Sequence, residues 1–231
     1  MKIPVSEIYP AVQAEGKHKT PAVFVRVWGC NLRCGFTKRK DGKSQCDTPY
    51  AVFEGSKTLH TVSEVVNIIK VYPFKHVVFT GGEPLLYMNK IIEIIKQLPE
   101  YFIEIETNGT IKPSLFLHRR VNQFNVSVKL KSSKQWAGYD DKRINRDAIK
   151  SFNKENAILK FVVSGSRKSE LKEIKLIHRL NKELEVYLMP EGENRKQVLN
   201  NIPATLDLCL ENNYGFTNRD HILAHNTMRG V

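Results

Sequence analysis

His76-Val77-Val78-Phe79-Thr80-Gly81-Gly82-Glu83-Pro84 carries an apolar run straight into two glycines, an acid and a proline. A run without polar alternation reads as a strand buried on both faces, the pattern of a parallel sheet covered by helices. Two glycines at its end allow a ligand to approach the backbone, and the acid after them can meet a cationic amine. Alone, Gly-Gly-Glu-Pro is a turn signal. Its surroundings decide how it is read.

Similar runs lie on both sides: Ala22 to Val27, Phe102 to Glu106, Phe124 to Val128, Leu159 to Val163 and Val186 to Met189. Between them, apolar residues recur at three- and four-residue spacing, most clearly over Val62 to Val71, Met88 to Gln97, Ser169 to Leu184 and Arg195 to Asn212. Six alternations predict an α/β fold, a partial (β/α)6 TIM-like barrel with its chemistry at the carboxyl ends of the strands. With 231 residues, 41% of them hydrophobic, the chain can bury one large core, so residues 1–231 are expected to form a single domain. No apolar stretch reads as a membrane span and no charged segment followed by an apolar run opens the chain. The expected location is cytoplasmic, without membrane association.

Upstream of Gly81 lies the densest cluster of chemistry. Cys30 and Cys34 stand in Val-Trp-Gly-Cys-Asn-Leu-Arg-Cys, and Cys46 follows in Gln-Cys-Asp-Thr. Three thiolates on one loop (28–50) can hold three irons of a 4Fe-4S cluster, leaving the fourth iron open to an amino and carboxylate chelate such as S-adenosylmethionine. Structural zinc is the rival, but it needs four ligands; there is no second cysteine pair, and His60 is placed by its pattern at the start of a helix. Residues 35–45, between Cys34 and Cys46, are polar with a turn signal at Asp41-Gly42. Lengthening the loop costs on the order of 1 kcal/mol in closure entropy, so the insertion is compatible with cluster assembly. Cys209, in Leu-Asp-Leu-Cys-Leu, reads as a buried, inert thiol.

The formal charge of +12 favours anionic ligands and nonspecific attraction to nucleic acid. Its basic clusters, Lys38-Arg39-Lys40, Lys129 to Lys134 and Arg167-Lys168, do not interleave with aromatics as base-stacking modules do. A solvated basic face is the default.

With these residues in place, the chain resembles the radical S-adenosylmethionine enzymes and, within them, the 7-carboxy-7-deazaguanine synthases. The resemblance rests on Val12-Gln13-Ala14-Glu15-Gly16, Phe24-Val25-Arg26 leading into the cysteine loop, Cys46-Asp47-Thr48, Thr80-Gly81-Gly82-Glu83-Pro84, Glu106-Thr107-Asn108-Gly109-Thr110, and Phe216 to His221. It implies a barrel of the radical SAM type and conversion of 6-carboxy-5,6,7,8-tetrahydropterin to 7-carboxy-7-deazaguanine with loss of ammonia. By the same resemblance, Val12, Gln13, Ala14, Glu15, Arg26 and Thr80 meet the substrate. Glu15 suits the donor edge of an aminopyrimidinone, and Arg26 suits a carboxylate through paired donors. A helix-capping or solvated Glu15 and an Arg26 in a surface ion pair are the alternatives. Thr48 corresponds to a magnesium ligand, or is an ordinary turn threonine before Pro49. Gln45, Asp47, Gly82, Glu83, Lys129, Lys131, Met189, Pro190 and Glu191 correspond to S-adenosylmethionine contacts. An electron donor such as flavodoxin or ferredoxin is implied, and a homodimer stays open.

The chain departs from the family's pattern at three points. Gln45 stands where an aromatic residue usually precedes the third cysteine, with Phe36 as the replacement. Lys129-Leu130-Lys131 stands for a Ser-Pro-Lys type segment, and Met189 stands where relatives carry a glutamine before the proline. Two other readings remain open at this level: a radical activase that makes a glycyl radical on a partner protein, and a basic zinc-containing nucleic-acid-binding protein.

Overall fold

In the computed structural model, residues 2–35, 37–38, 44–53, 57–164 and 168–228 are described. The strands are β1 (Lys2–Val12), β2 (Pro21–Val27), β3 (Thr37–Lys38), β4 (Ser44–Gln45), β5 (Thr58–Thr61), β6 (His76–Gly81), β7 (Phe102–Thr107), β8 (Gln123–Val126), β9 (Ala157–Val163), β10 (Glu185–Pro190) and β11 (Gly215–Phe216). The helices are α1 (Val62–Val71), α2 (Met88–Lys96), α3 (Leu115–Arg120), α4 (Arg146–Lys150), α5 (Lys168–His178), α6 (Arg195–Asn212) and α7 (Asp220–His225). One sheet runs β11-β10-β9-β8-β7-β6-β2-β1-β5, and β3 pairs separately with β4. From β2 to β11 every pairing is parallel, with a helix between successive strands from β6 onward. This is the α/β partial barrel that the apolar runs predict.

Side-chain alternation gives the sheet two different faces. Val23, Val25, Val77, Phe79, Ile103, Ile105, Phe124, Val126, Leu159 and Phe161 are fully buried in the main core, where the helices cover them. The intervening positions put Arg26, Thr80, Glu104, Glu106, Asn125 and Lys160 on the other face. Register then sets them side by side: Arg26 lies opposite Thr80, and Glu106 opposite Asn125. The apolar face holds the fold while the polar face builds the site.

Local signals fix the helix starts. At α1 the Thr61 hydroxyl accepts the Glu64 N–H at 3.2 Å while the Glu64 carboxylate accepts the Thr61 N–H at 2.6 Å, a reciprocal cap whose loss costs about 1 kcal/mol. Asn194 caps α6 through the Gln197 N–H at 3.0 Å.

Several boundaries differ from the sequence pattern. β1 adds a strand to those expected; it lies between β2 and β5 with a bulge between Val5 and Glu7. α5 stops at His178 rather than Leu184, since Leu180 and Asn181 turn back onto Ile177 and His178 and the Asn181 amide donates to the Ile149 and Phe152 carbonyls. β8 ends at Val126, two residues early. His60 lies in β5 opposite Ile3, not on a helix. Among the described residues no helix is long and apolar enough to cross a membrane.

Candidate active site

The carboxyl ends of the parallel strands open into a cavity of about 500 Å³ that Cys30, Cys34 and Cys46 all line. β2 delivers the cysteine loop, and β6 delivers the glycines that hold it. Gly81 has φ of +121°, and a Cβ there would lie 2.3 Å from the Val27 carbonyl oxygen; one on Gly82 would lie 1.9 Å from that of Gly29. The glycines therefore admit the backbone of the cysteine loop, not only a ligand. The Glu83 N–H donates to the Gly29 carbonyl at 2.9 Å and closes the same seam.

Glu83 is not placed to meet an amine. It is fully buried, and its oxygens accept from the Leu85 N–H at 3.0 Å, the Thr107 hydroxyl at 2.8 Å and the Asn108 N–H at 2.7 Å. Burial pushes its carboxyl up despite these bonds. It ties the Gly-Gly-Glu-Pro turn to the end of β7.

The three cysteines offer soft thiol donors on one cavity wall, although among the described residues no three Cys, His, Asp or Glu side chains are gathered closely enough to hold a metal ion as they stand. Burial pushes the Cys30 thiol up to about 11, with the nearby Glu83 carboxylate adding to the effect. Cys46 is raised by burial and then by Asp47, and Cys34 by burial. At Cys30 and Cys34 burial outweighs the nearby Lys129 cation, so the thiols stay protonated, and binding of metal would drive the protons off. His60, the fourth ligand that a zinc site would require, is not among the residues lining this cavity.

The remaining wall is polar and crossed by ion pairs. The Lys160 ammonium lies 3.1 Å from Glu15 and 3.5 Å from Glu106, with its side chain only 3% exposed. Arg219 lies 3.1 Å from Asp47 and 3.7 Å from Glu15. Burial alone would raise the Glu15 carboxyl, but Lys160, Arg219 and His221 together outweigh it and hold it well below the usual range. Asp47 is lowered in the same way, against burial, by Arg219 and Lys129. The Arg219 Nε–H is buried with no hydrogen-bond acceptor among the described residues. A buried donor on the wall of a cavity whose nearest carboxylate, Glu15 at 3.7 Å, lies beyond hydrogen-bond reach fits the acceptor of an anionic ligand.

Arg26 lines the cavity and is also ion-paired: Nε donates to Glu7 at 2.6 Å and Nη2 to the Tyr9 hydroxyl at 2.6 Å. The ion-pair reading of this residue is met, with Glu7 as the partner and with Arg26 on the cavity wall. Gln13 is 1% exposed. Its amide donates to Glu104 and, at 3.4 Å, to Glu106, while its carbonyl accepts the Glu15 N–H at 3.0 Å, so it orients Glu15 as well as facing the cavity. Thr80 donates to Glu106 at 2.6 Å, and the Thr48 hydroxyl lies 3.4 Å from the Cys46 sulfur.

Val12, Ala14, Asp47, Thr48, Gly82, Lys129 and Met189 join these residues around the cavity. Lys131, Pro190 and Glu191 do not. Lys131 is exposed at the start of a short 3-10 turn. The Glu191 N–H is bound to the Val163 carbonyl at 2.8 Å, and the Glu191 carbonyl accepts from Asn201 at 2.8 Å. Phe36, Arg39, Lys40, Arg167 and the side chains of Lys38 and Gln45 lie outside the described residues. Sequence reasoning missed Lys160, Glu106, Arg219 and His221 as site residues. A lysine inside the apolar run Ala157–Val163 and the alternating Ile-Glu-Ile-Glu of β7 were the available signals.

Residues 27–202 match the model of the Radical SAM superfamily. The 7-carboxy-7-deazaguanine synthase of Rhodopirellula baltica is 31% identical, over 98% of this chain and 88% of its own length. That of Halobacterium salinarum is 32% identical, over 97% of this chain and 91% of its own. Among solved structures, QueE from Escherichia coli superposes with a TM-score of 0.68 at 20% identity, covering 95% of this chain and 94% of that one. Streptococcus suis SuiB gives 0.55 at 15% identity, covering 83% of this chain but 47% of its own. At these identities the two structures speak to the fold.

Proposed function

The chain belongs to the radical SAM superfamily and, within it, to the 7-carboxy-7-deazaguanine synthases, and from that membership we propose that it converts 6-carboxy-5,6,7,8-tetrahydropterin to 7-carboxy-7-deazaguanine with release of ammonia, a step of 7-deazapurine biosynthesis. One observation carries the reading for this chain: the three-cysteine loop and the ion-paired wall of Glu15, Lys160, Glu106 and Arg219 line a single cavity. Cys30, Cys34 and Cys46 would hold a 4Fe-4S cluster. When bound, the cluster and S-adenosylmethionine supply low-potential one-electron reduction and hydrogen-atom abstraction.

The protein's own part is binding, orientation and shielding. Lys160 holds Glu15 ionised and pairs with Glu106, so that Glu15 is an acceptor for the aminopyrimidinone edge of the pterin. Arg26, its plane fixed by Glu7 and Tyr9, faces the substrate carboxylate. Asp47, Gly82, Lys129 and Met189 are assigned to the S-adenosylmethionine side of the cavity. Pro190, Glu191, Lys131 and Glu83 could reach that ligand only after rearrangement, and Glu83 is assigned instead to the loop seam. Mg²⁺ is assigned to the Thr48 hydroxyl together with substrate oxygens, in keeping with its preference for hard oxygen donors. The reductant is assigned to a cytoplasmic flavodoxin or ferredoxin.

The test is anaerobic reconstitution with iron and sulfide, followed by incubation with S-adenosylmethionine, Mg²⁺, reductant and the carboxypterin. Formation of 7-carboxy-7-deazaguanine and ammonia is expected. S-adenosylmethionine cleavage without consumption of the pterin would overturn the substrate assignment and bring forward the activase reading.

A further inference from the structure

The segment after β8 that carries Lys131 also carries Gln135, and Gln135 reaches the cysteine loop directly. Its Oε1 accepts the Arg33 N–H at 2.9 Å. That bond fixes which way the amide points, because a backbone N–H requires the oxygen. The amide nitrogen is thereby turned to the Cys34 sulfur at 3.1 Å and the Ser133 hydroxyl at 3.0 Å. Two backbone bonds brace the same contact, from the Gly35 N–H to the Ser133 carbonyl at 2.6 Å and from the Trp136 N–H to the Arg33 carbonyl at 3.0 Å. Phe53 stacks on Trp136 at 5.2 Å, and the Arg33 guanidinium lies 5.1 Å from the Phe53 ring and 5.3 Å from Tyr139. Residues 133–136 form a bracket around Cys34, and Gln135 is its one side-chain donor to that sulfur among the described residues.

We propose that Gln135 tunes the cluster held by Cys30, Cys34 and Cys46, by donating a fixed N–H hydrogen bond to the Cys34 sulfur. An N–H donor withdraws electron density from a thiolate and stabilises the reduced, more negative state of the cluster, so it raises the reduction potential. Neighbouring sulfurs have weaker or different donors. Cys30 has the Leu32 N–H at 3.4 Å and the Asn108 amide at 3.8 Å, and Cys46 has the Thr48 hydroxyl at 3.4 Å. The shortest of these contacts is the one made by a residue 101 positions away in sequence. Gln135 is a positioning and tuning residue and is assigned no contact with substrate. The proposal rests on the cluster assignment and is independent of which substrate is turned over.

The experiment compares the reconstituted parent chain with Gln135→Leu and Gln135→Glu. Leu removes both amide functions at similar size, whereas Glu keeps an oxygen for the Arg33 N–H and removes the donor. Iron and sulfide are measured first, followed by an EPR-monitored redox titration without substrate and by Fe–S stretching frequencies. The expected result is parent-like cluster content, a midpoint potential shifted to more negative values in both variants, and a changed Fe–S stretch. An unchanged potential at full content in both variants overturns the proposal. So does loss of the cluster in both, which would make Gln135 a scaffold for the loop. If the shift appears while neither parent nor variant consumes the carboxypterin, the substrate reading fails and the tuning role stands.

Discussion

The two linings of the cavity are built on opposite principles. The cysteine loop draws its ligands from one short stretch, 28–50, holds them by backbone packing against Gly81 and Gly82, and leaves three thiols with raised proton affinity. The facing wall draws Glu15, Arg26, Glu106, Lys160 and Arg219 from widely separated parts of the chain and holds them by charge on charge. On the proposed assignment, the first lining takes a soft metal that arrives and displaces protons. The second is already neutralised internally, so a ligand must compete with existing partners or add to them. Specificity on that side comes from geometry rather than from net charge.

The contrast breaks most sharply at a cysteine. Cys30→Ala, Cys34→Ala and Cys46→Ala are each expected to abolish cluster assembly and S-adenosylmethionine cleavage, because each removes one of three iron ligands. Cys209→Ala is the control, since that thiol is buried in α6 and contacts the Gly215 carbonyl. Full iron content and cleavage in any of the first three variants would remove the ligand assignment.

On the opposite wall, Lys160→Met leaves Glu15 and Glu106 without their buried cation. Breaking one side of a buried ion pair costs about 3 kcal/mol, to be read from urea unfolding at neutral pH. A pH series sharpens this. The folded-state pKa of Glu15 is depressed, so its contribution is present above the ordinary carboxylate value of 4.5 and is lost as pH falls through the folded value. Parent stability should therefore fall on acidification below that pH, and Lys160→Met should flatten the fall. An equally steep acid limb in the variant would mean that Lys160 is not what depresses Glu15.

Smaller effects are expected at the wall residues assigned to the substrate. Glu15→Gln and Arg26→Ala should each lose roughly 1 to 3 kcal/mol of substrate interaction, about one to two decades in apparent affinity. Uncoupled S-adenosylmethionine cleavage should survive in both. Turnover of the carboxypterin alongside release of 5′-deoxyadenosine is the measurement, and parent-like turnover in both variants would argue for a purely structural wall. Thr48→Ala is the smallest change: weaker stimulation by magnesium at unchanged cluster content. A magnesium titration identical to the parent's would leave Thr48 as a turn residue.

The same contrast explains what the sequence could say. Cys30, Cys34, Cys46 and Gly81-Gly82 are close to one another along the chain or follow an obvious strand, so the gathering of the cysteines on one wall and all six parallel strands β2 and β6 to β10 were readable from local pattern. Lys160 and Glu106 were hidden because their strands read as apolar runs. Their meaning appears only when sheet register brings Lys160 and Glu106 together under Glu15 from a loop 145 positions away from the lysine. Lys131 and Gln135 show the limit from the other side. Chain direction after β8 cannot be read from propensity, and the turn at 131–133 sends Lys131 to solvent and Gln135 to the sulfur. β1 was missed because Ser6, Glu7 and its two prolines break any continuous apolar run, yet it covers the edge of β2.

That covering strand bears on how the molecule tolerates change at its amino terminus. β1 supplies Glu7 and Tyr9 to Arg26 and leads directly into Gln13 and Glu15, and it also occupies the hydrogen-bonding edge of β2. Trimming the first dozen residues would uncover a hydrophobic strand edge built from Ala22, Val23, Phe24 and Val25, the kind of edge that recruits another chain. Self-association and loss of substrate selectivity should then arise together from one deletion. Affinity tags are accordingly better carried at the carboxyl terminus.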